Sequence, residues 1–405
     1  MRRPELSPAG PMRPDSLAGS NGNDDAGGVP SVVPGHGRGA VRPGGARGDG
    51  DVQASGRADP GAGAVSGGGQ HASGGGGADG GAVRPAGGDE PAGGPGEDGL
   101  DFDRSVARGG YAWWYVDALS DDGQHGITLI AFLGSVFSPF YAWSRRRGGG
   151  DPMQFCALNA VLYGRPRRWA MTERAAAAVD RGPRHLAIGP SSLRWDGTTL
   201  VNDIDEVTAP LPSRLRGTVR VHPSAVTGRR FVLDGAGRHR WSPIAPVSRV
   251  EVSLTHPALR WSGPGYLDTN DGDAALEDDF VEWDWCRAPM RHGATILYNA
   301  TRRVGGDQSL ALRVGRDGGV EAFPPPPPAV LPPTRVWRVA RATRADAVPT
   351  VRQTLEDTPF YSRSVIETRL LGEAAVAVHE SLLLDRFRAP WVQAMLPFRI
   401  PRRWR

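Results

Sequence analysis

The chain has 405 residues and a formal charge of only +4, and all 48 of its Lys-plus-Arg positions are arginine. That balance, with no helix-turn-helix, zinc-finger or RNP-like pattern, gives no footing for nucleic acid as a partner, and the lack of lysine excludes Schiff-base chemistry and a P-loop. The two cysteines, Cys156 and Cys286, form neither a disulfide framework nor a zinc set.

Residues 1–100 consist largely of Gly, Pro, Ala, Ser, Asp and Arg, and the first aromatic residue is Phe102. Such a segment buries too little apolar area to offset its ordering entropy, so it reads as a disordered arm. No apolar signal-peptide core opens it, which makes a reducing cytoplasm the expected compartment.

Beyond the arm, short strand-like runs follow one another between turn residues. "YAWWYVDALS" (111–120) alternates and turns at "DDGQHG". "ITLIAFLGSVFSPFYAW" (127–143) carries no charge and precedes Arg145, Arg146 and Arg147, the flank of a membrane span. It is at the short limit for a span and is interrupted by Gly134, Ser135, Ser138 and Pro139, so a buried strand followed by a loop is expected. "MTERAAAAVD" (171–180) is a short helix candidate, and "LEDTPFYSR" (355–363) a turn or two of helix. "PSSLRWDGTTL" contains a DG hairpin signal. "GTVRVHP", "RRFVLDG", "SRVEVSL", "DFVEWDW", "GATILYNATR", "SLALRVGRDGGVEAF", "TRVWRVARATR" and "RSVIETRLLG" continue the strand pattern. "FPPPPPAVLPP" (323–333) lacks the amide donors of a central strand and reads as a rigid surface connection, with a polyproline ligand as the alternative. The whole predicts an antiparallel all-β protein, barrel or sandwich.

Two short segments carry the chemistry. In an extended chain, residues i and i+2 share a face. "RHRWSPIAP" (238–246) then directs His239 and Trp241 together, and "GPGYLDTND" (263–271) directs Tyr266 and Asp268 together. If the strands are neighbours, an imidazole and a carboxyl, each beside an aromatic, face one interior. A desolvated Asp keeps its proton near neutral pH and can deliver it, and aromatic faces stabilise a developing cation. The plain alternative is that Trp241, Tyr266 and His239 are core residues and Asp268 a turn former. "DTNDGD" fails the frame of a calcium loop, with Gly272 and Asp273 in the wrong places. Glu277, Asp278, Asp279, Glu282 and Asp284 could supply a glycosidase pair, although a solvated strand edge is the commoner origin of such a run.

These residues carry a resemblance. "GYAWWYVDALSDDGQHGITLIAFLGSVFSPFY", "ALNAVLYG", "HRWSPIAPVSRVEVSL", "WSGPGYLDTNDGDAALEDDFVEWDW" and "LPFRIPRRWR" are similar to the carotenoid 1,2-hydratases, or hydroxyneurosporene synthases, of phototrophic bacteria. The resemblance runs from about Asp103 to the C-terminus and leaves the arm without a counterpart. It implies two lipocalin-like antiparallel β-barrel domains, taken as 101–248 and 249–405 after the arm 1–100. It also implies cofactor-free, metal-free addition of water across the terminal double bond of an acyclic carotenoid such as neurosporene or lycopene, giving a tertiary alcohol at C1. The family's active-site pattern falls on His239, Trp241, Tyr266 and Asp268. Asp268 would be the acid, Trp241 and Tyr266 the cation-stabilising faces, and His239 would orient Asp268 or take the proton of the attacking water. A non-catalytic carotenoid or lipid carrier on the same barrels is the alternative, and a carbohydrate-active enzyme a third. A substrate that resides in bilayers calls for peripheral docking at the cytoplasmic side of the inner membrane. The tail "APWVQAMLPFRIPRRWR" (389–405), with Trp391, Phe398 and Trp404 among Arg399, Arg402, Arg403 and Arg405, is the expected contact, a final strand with a solvated end being the alternative.

Deleting residues 1–95 is expected to leave turnover largely intact, because the arm supplies no core-forming side chain. Loss of folding or of activity in the truncated protein would contradict this.

Overall fold

The computed structural model describes residues 90–91 and 99–403. The disordered-arm expectation therefore lies almost wholly outside the described residues, as do Trp404 and Arg405. In chain order the strands are β1 (Glu90–Pro91), β2 (Tyr111–Leu119), β3 (Gly126–Leu133), β4 (Cys156–Tyr163), β5 (Arg168–Arg174), β6 (Val179–Gly182), β7 (His185–Ile188), β8 (Ser191–Trp195), β9 (Leu200–Val207), β10 (Arg214–Pro223), β11 (Arg229–Val232), β12 (His239–His256) and β13 (Ala258–Gly272). These form one antiparallel sheet in the order β5-β4-β3-β2-β13-β12-β10-β9-β8-β7-β6, with β11 on β12 and β1 on β11. The sheet curls until its edge strand β5 meets β9, where Arg174 Nη2 donates to Glu206 Oε2 at 2.8 Å. It is a nearly closed, lipocalin-like barrel.

A second sheet is built from β14 (Phe280–Met290), β15 (Gly293–Arg302), β16 (Asp307–Gly315), β17 (Val320–Ala322), β20 (Thr350–Asp357), β21 (Tyr361–Leu370) and β22 (Glu373–Leu383), in the order β17-β16-β15-β14-β22-β21-β20. A hairpin of β18 (Pro328–Leu331) and β19 (Arg341–Arg344) lies between. Four short helices complete the described chain: α1 (Pro139–Arg146), α2 (Leu276–Asp279), α3 (Leu384–Arg388) and α4 (Pro390–Arg399).

The all-β expectation holds, and the uncharged run 127–143 is the buried strand β3 followed by α1 in place of a loop, because Ser138 caps the Tyr141 amide and Pro139 starts the helix. No helix among the described residues is long and apolar enough to cross a membrane. Other expectations differ in detail. "MTERAAAAVD" is the end of β5, a single 3₁₀ turn and the start of β6, since pairing with β4 and β7 outweighs its alanine content. "LEDTPFYSR" is the β20–β21 turn rather than helix. Part of the proline run pairs after all, as the short strand β18. The tail contains the helix α4 in place of a final strand. The division placed between residues 248 and 249 falls inside β12, which pairs continuously across it; the chain changes sheets between Gly272 and Phe280.

The layer between the sheets positions the site. β2 is buried on both faces, so its alternation serves two cores. Trp114 and Val116 join Leu129, Leu158, Val219 and Leu267 inside the first sheet. Tyr111, Trp113 and Tyr115 join Trp241, Tyr266, Trp283, Trp285 and Tyr298 between the sheets. An ionic cluster crosses this layer. Arg287 Nε of β14 donates to Asp117 Oδ1 of β2 at 2.6 Å, and Arg363 of β21 bonds both Asp117 and Glu380 of β22. The Asp117, Arg287 and Arg363 side chains are essentially inaccessible to solvent. Their desolvation makes the cluster a poor source of net stability but a costly one to break.

Arg363→Met is expected to destabilise the protein by about 3–5 kcal/mol, because it leaves the Glu380 carboxylate without its cation and Asp117 with Arg287 alone. Equilibrium urea unfolding checks it, and a midpoint equal to wild type would contradict the reading.

Candidate active site

β12 and β13 are neighbours, as the paired segments require, and the pairing is irregular where it matters. Ser242 faces Thr269 and Ala245 faces Leu267, which leaves Pro243 and Ile244 opposite Asp268 in a bulge. The proline in "SPIAP" has no amide to offer the ladder, so the strand bends here. Trp241, opposite Asn270, is then the diagonal neighbour of Asp268. Its indole Nε1 donates to Asp268 Oδ2 at 2.8 Å. The Tyr266 hydroxyl, two residues away on the same face, donates to the same oxygen at 2.8 Å. Asp268 Oδ1 is buried and makes no hydrogen bond to the described protein.

Burial pushes the Asp268 carboxyl up to about 8; the nearby Glu380 and Asp117 carboxylates add to the rise, and the Trp241 and Tyr266 hydrogen bonds oppose it. Because both donors occupy Oδ2, the proton of the neutral acid falls on Oδ1. The residue lines a cavity of about 420 Å³ between the sheets. Its walls are mainly apolar and aromatic, with Trp113, Tyr115, Phe132, Trp283, Trp285 and Tyr298 around the inner end, and Met395, Phe398 and Arg399 of α4 also on its lining. Polar side chains on the lining include Asn159, Asn270, Glu356, Asp357 and Glu380.

The structure brings Asp268, Trp241 and Tyr266 together and leaves His239 apart. His239 pairs with Gly272, four residues from Asp268, or roughly 13 Å along an extended strand. Its Nδ1 lies 2.9 Å from the Tyr111 hydroxyl and its Nε2 2.6 Å from Asp279 Oδ2. Burial lowers its pKa against the pull of Asp279. A Cβ at Gly272 would stand 2.8 Å from His239 Nδ1, so the glycine makes room for the ring. His239 is not on the cavity lining, so orienting Asp268 directly is not open to it.

Trp241 and Tyr266 are fully buried and hold the carboxyl instead of lining the cavity. Aromatic side chains that do line the cavity include Trp113, Tyr115, Trp283, Trp285 and Tyr298. The i, i+2 pattern of "YAWWYVDAL" and "FVEWDW" contained that signal, but only the packing of the two sheets brings the strands face to face. Glu380 had no local signal. The acidic run is only in part a solvated edge: Asp278 is exposed, but Glu277 pairs with Arg145 at 2.8 Å, Asp279 with His239, and the half-buried Asp284 accepts from the Ser381 hydroxyl.

The all-β scaffold thus holds an apolar, aromatic-walled cavity with a buried carboxyl of raised pKa on its lining. A carrier had no need of that acid. The chain belongs to the carotenoid hydratase CrtC family, whose description matches residues 129–405. It is 55% identical over 381 residues to an acyclic carotenoid 1,2-hydratase of Thiocapsa roseopersicina, covering 93% of each chain. To the enzyme of the same name from Rubrivivax gelatinosus it is 51% identical over 387 residues, covering 94% of this chain and 93% of that one. To that from Cereibacter sphaeroides it is 44% identical over 278 residues, covering 68% of this chain and 98% of that one. The chain is accordingly a hydratase, a hydro-lyase. The first two matches span more of the chain than residues 101–405 provide, so the arm does have counterparts, whereas the third relative is matched almost end to end by about two thirds of this chain.

The raised pKa of Asp268 has a consequence for stability. Below about pH 4 the carboxyl is protonated in both folded and unfolded chains. Between there and about pH 8 the unfolded chain releases the proton while the folded one keeps it, so this residue's contribution falls as pH rises and stays low above pH 8. Asp268→Asn is therefore expected to melt higher than wild type at pH 9, with the gap narrowing toward pH 4. A variant that melts lower at pH 9 would contradict the assignment.

Proposed function

We propose that the protein adds water across the terminal C1–C2 double bond of an acyclic carotenoid, with Asp268 as the proton donor and no cofactor or metal in the reaction. The observation that carries this reading is the buried Asp268 carboxyl, without a cation beside it, on the lining of an apolar cavity. The Asp268 Oδ1–H bond breaks and the alkene π pair takes the proton at C2, the less substituted carbon. The cation then lies on tertiary C1. The faces of Trp113, Tyr115, Trp283, Trp285 and Tyr298 offset its charge without competing as nucleophiles. A water lone pair closes the C1–O bond, and loss of one proton from the oxonium gives the tertiary alcohol. Trp241 and Tyr266 act on the acid: their hydrogen bonds to Oδ2 hold Oδ1 as the hydroxyl and stabilise the carboxylate that remains after transfer. His239 supports the β12–β13 end through Tyr111 and Asp279.

The same reading places the enzyme on the cytoplasmic surface of the membrane that holds its substrate. α4 contributes Met395, Leu396, Phe398 and Arg399 to the cavity lining, and Met395 and Phe398 are also exposed, as is Trp391 one turn earlier. An apolar rim of this kind seats at the headgroup boundary and lets a long polyene enter end first. The charge part of the docking is smaller than the arginine count of the tail suggests. Arg399 stacks over Trp169 at 4.3 Å, and Arg402 bonds Glu173 and stacks over Phe155.

Incubation of the purified protein with lycopene in ¹⁸O-labelled water is expected to give a tertiary 1-hydroxy product carrying the label, with Asp268→Asn slower by about a hundredfold or more. No labelled alcohol from wild type, or near-wild-type turnover by the variant, would contradict the proposal. Flotation with lipid vesicles should fall on Phe398→Ser, and vesicle binding indifferent to that change would contradict the docking face.

A further inference from the structure

Hydration needs a group to receive the proton of the attacking water as well as one to supply a proton to the alkene. His239 is remote from the cavity, and Asp268 is committed to the first step. The second sheet brings the carboxyls of Glu356, Asp357 and Glu380 to the same lining. Glu356 accepts from the Tyr163 hydroxyl and Asp357 from the Val336 and Trp337 amides, and of the three it is Glu380 whose charge bears on Asp268. Glu380 is on β22, paired with Trp285 of β14, and lines the cavity that Asp268 lines from β13. The rings of Tyr115, Tyr266 and Trp285 pack between the two acids, with centroids 5.0–6.1 Å apart.

Its surroundings suit a base. Arg363 and the Tyr115 hydroxyl both bond Oε1, the latter at 2.8 Å. Arg363 also bonds Asp117, which Arg287 bonds in turn, so two arginines face two carboxylates and the cluster is electrically balanced with Glu380 ionised. The charged and titratable groups around it are Tyr115 and Asp117 from β2, Arg363 and Tyr361 from β21, and Asp268 from β13. Asp268 has no cation bonded to it, only two neutral donors. Burial raises the Glu380 pKa, and Arg363 and the Tyr115 hydroxyl oppose that rise. An acid ion-paired to arginine and an acid without a cation thus share one cavity, the asymmetry that separates a general base from a general acid.

We propose that Glu380 is the general base of the hydration, accepting the proton of the water that attacks C1. This rests on the hydratase reading above. In the full cycle the Asp268 proton goes to C2, the water oxygen bonds C1, and one oxonium O–H bond breaks with its proton taken by the Glu380 carboxylate. Return of that proton to Asp268, through the cavity or bulk water, restores both acids, so the sum is alkene plus water to alcohol. Tyr115 and Arg363 are positioning residues, since they act through Glu380.

The test uses the full-length protein, lycopene and deuterium oxide. In Glu380→Gln, protonation of C2 by Asp268 remains possible, but the cation is not trapped efficiently and returns to alkene by losing a proton. The variant is expected to form the alcohol about a hundredfold or more slowly while recovered lycopene still gains deuterium at a rate near that of wild type. Alcohol formation within threefold of wild type overturns the proposal, and so does loss of deuterium uptake in parallel with hydration in a folded variant. Glu380→Asp keeps the charge opposite Arg363 and serves if the glutamine variant does not fold: slower hydration with deuterium uptake retained supports the base, and a wild-type rate overturns it. Wild-type protein run alongside reports on the hydratase reading itself, because its failure to form alcohol would sink that reading and not the assignment of Glu380 alone.

Discussion

A carboxyl group that must remain neutral governs this structure. Asp268 keeps its proton because two sheets close over it, and the closing surfaces are aromatic rather than polar. In water the same side chain would ionise near its ordinary value and could not protonate an isolated alkene. The apolar layer disfavours the anion, and the two hydrogen bonds to Oδ2 limit how far, so the group is held near 8 instead of becoming inert. Catalysis by an acid of this kind depends on an environment fixed before the substrate arrives.

That environment has its own requirements. Trp241 reaches Oδ2 because the proline-bearing bulge in β12 leaves Asp268 without a partner on that strand and sets the indole diagonally beside it. The second sheet must then be held against the first without supplying a cation to Asp268. Asp117, Arg287, Arg363 and Glu380 meet this need by pairing among themselves. Fully buried pairs of this kind contribute little net stability compared with apolar packing, and their use here is better explained by the charge states they impose. In the proposed mechanism Glu380, paired with Arg363, serves as the anion and Asp268, with no cation beside it, as the acid. The aromatic side chains between the two serve both purposes, filling the layer and offering π faces to positive charge.

Much of this was legible in the chain. Alternation with turn punctuation located most strands, and the i, i+2 pairs selected Asp268, Trp241 and Tyr266 as one constellation. The helix expected in the alanine-rich stretch gives way to a single 3₁₀ turn because the flanking strands β5 and β6 pair with β4 and β7, and the strand alternative for the tail gives way to the helix α4. His239 shows the limit of the spacing argument: it shares a face with Trp241, but two residues along a strand is far enough to reach a different set of partners, Tyr111 and Asp279. Trp283 and Trp285 carried the same alternation as the chosen pairs, yet nothing local relates one sheet to another. Glu380 sits in an ordinary strand, and only the packing of β22 against the layer gives it a role.

The central claim is that Asp268 is a neutral acid at the pH of the reaction, and infrared difference spectroscopy tests it without turnover. The protonated carboxyl stretch is followed from pH 4 to pH 10 in wild type and in Asp268→Asn. The account predicts a band missing from the variant that persists at pH 7 and is lost with a midpoint near 8. A band lost near pH 4, the ordinary range of an aspartate, would contradict it.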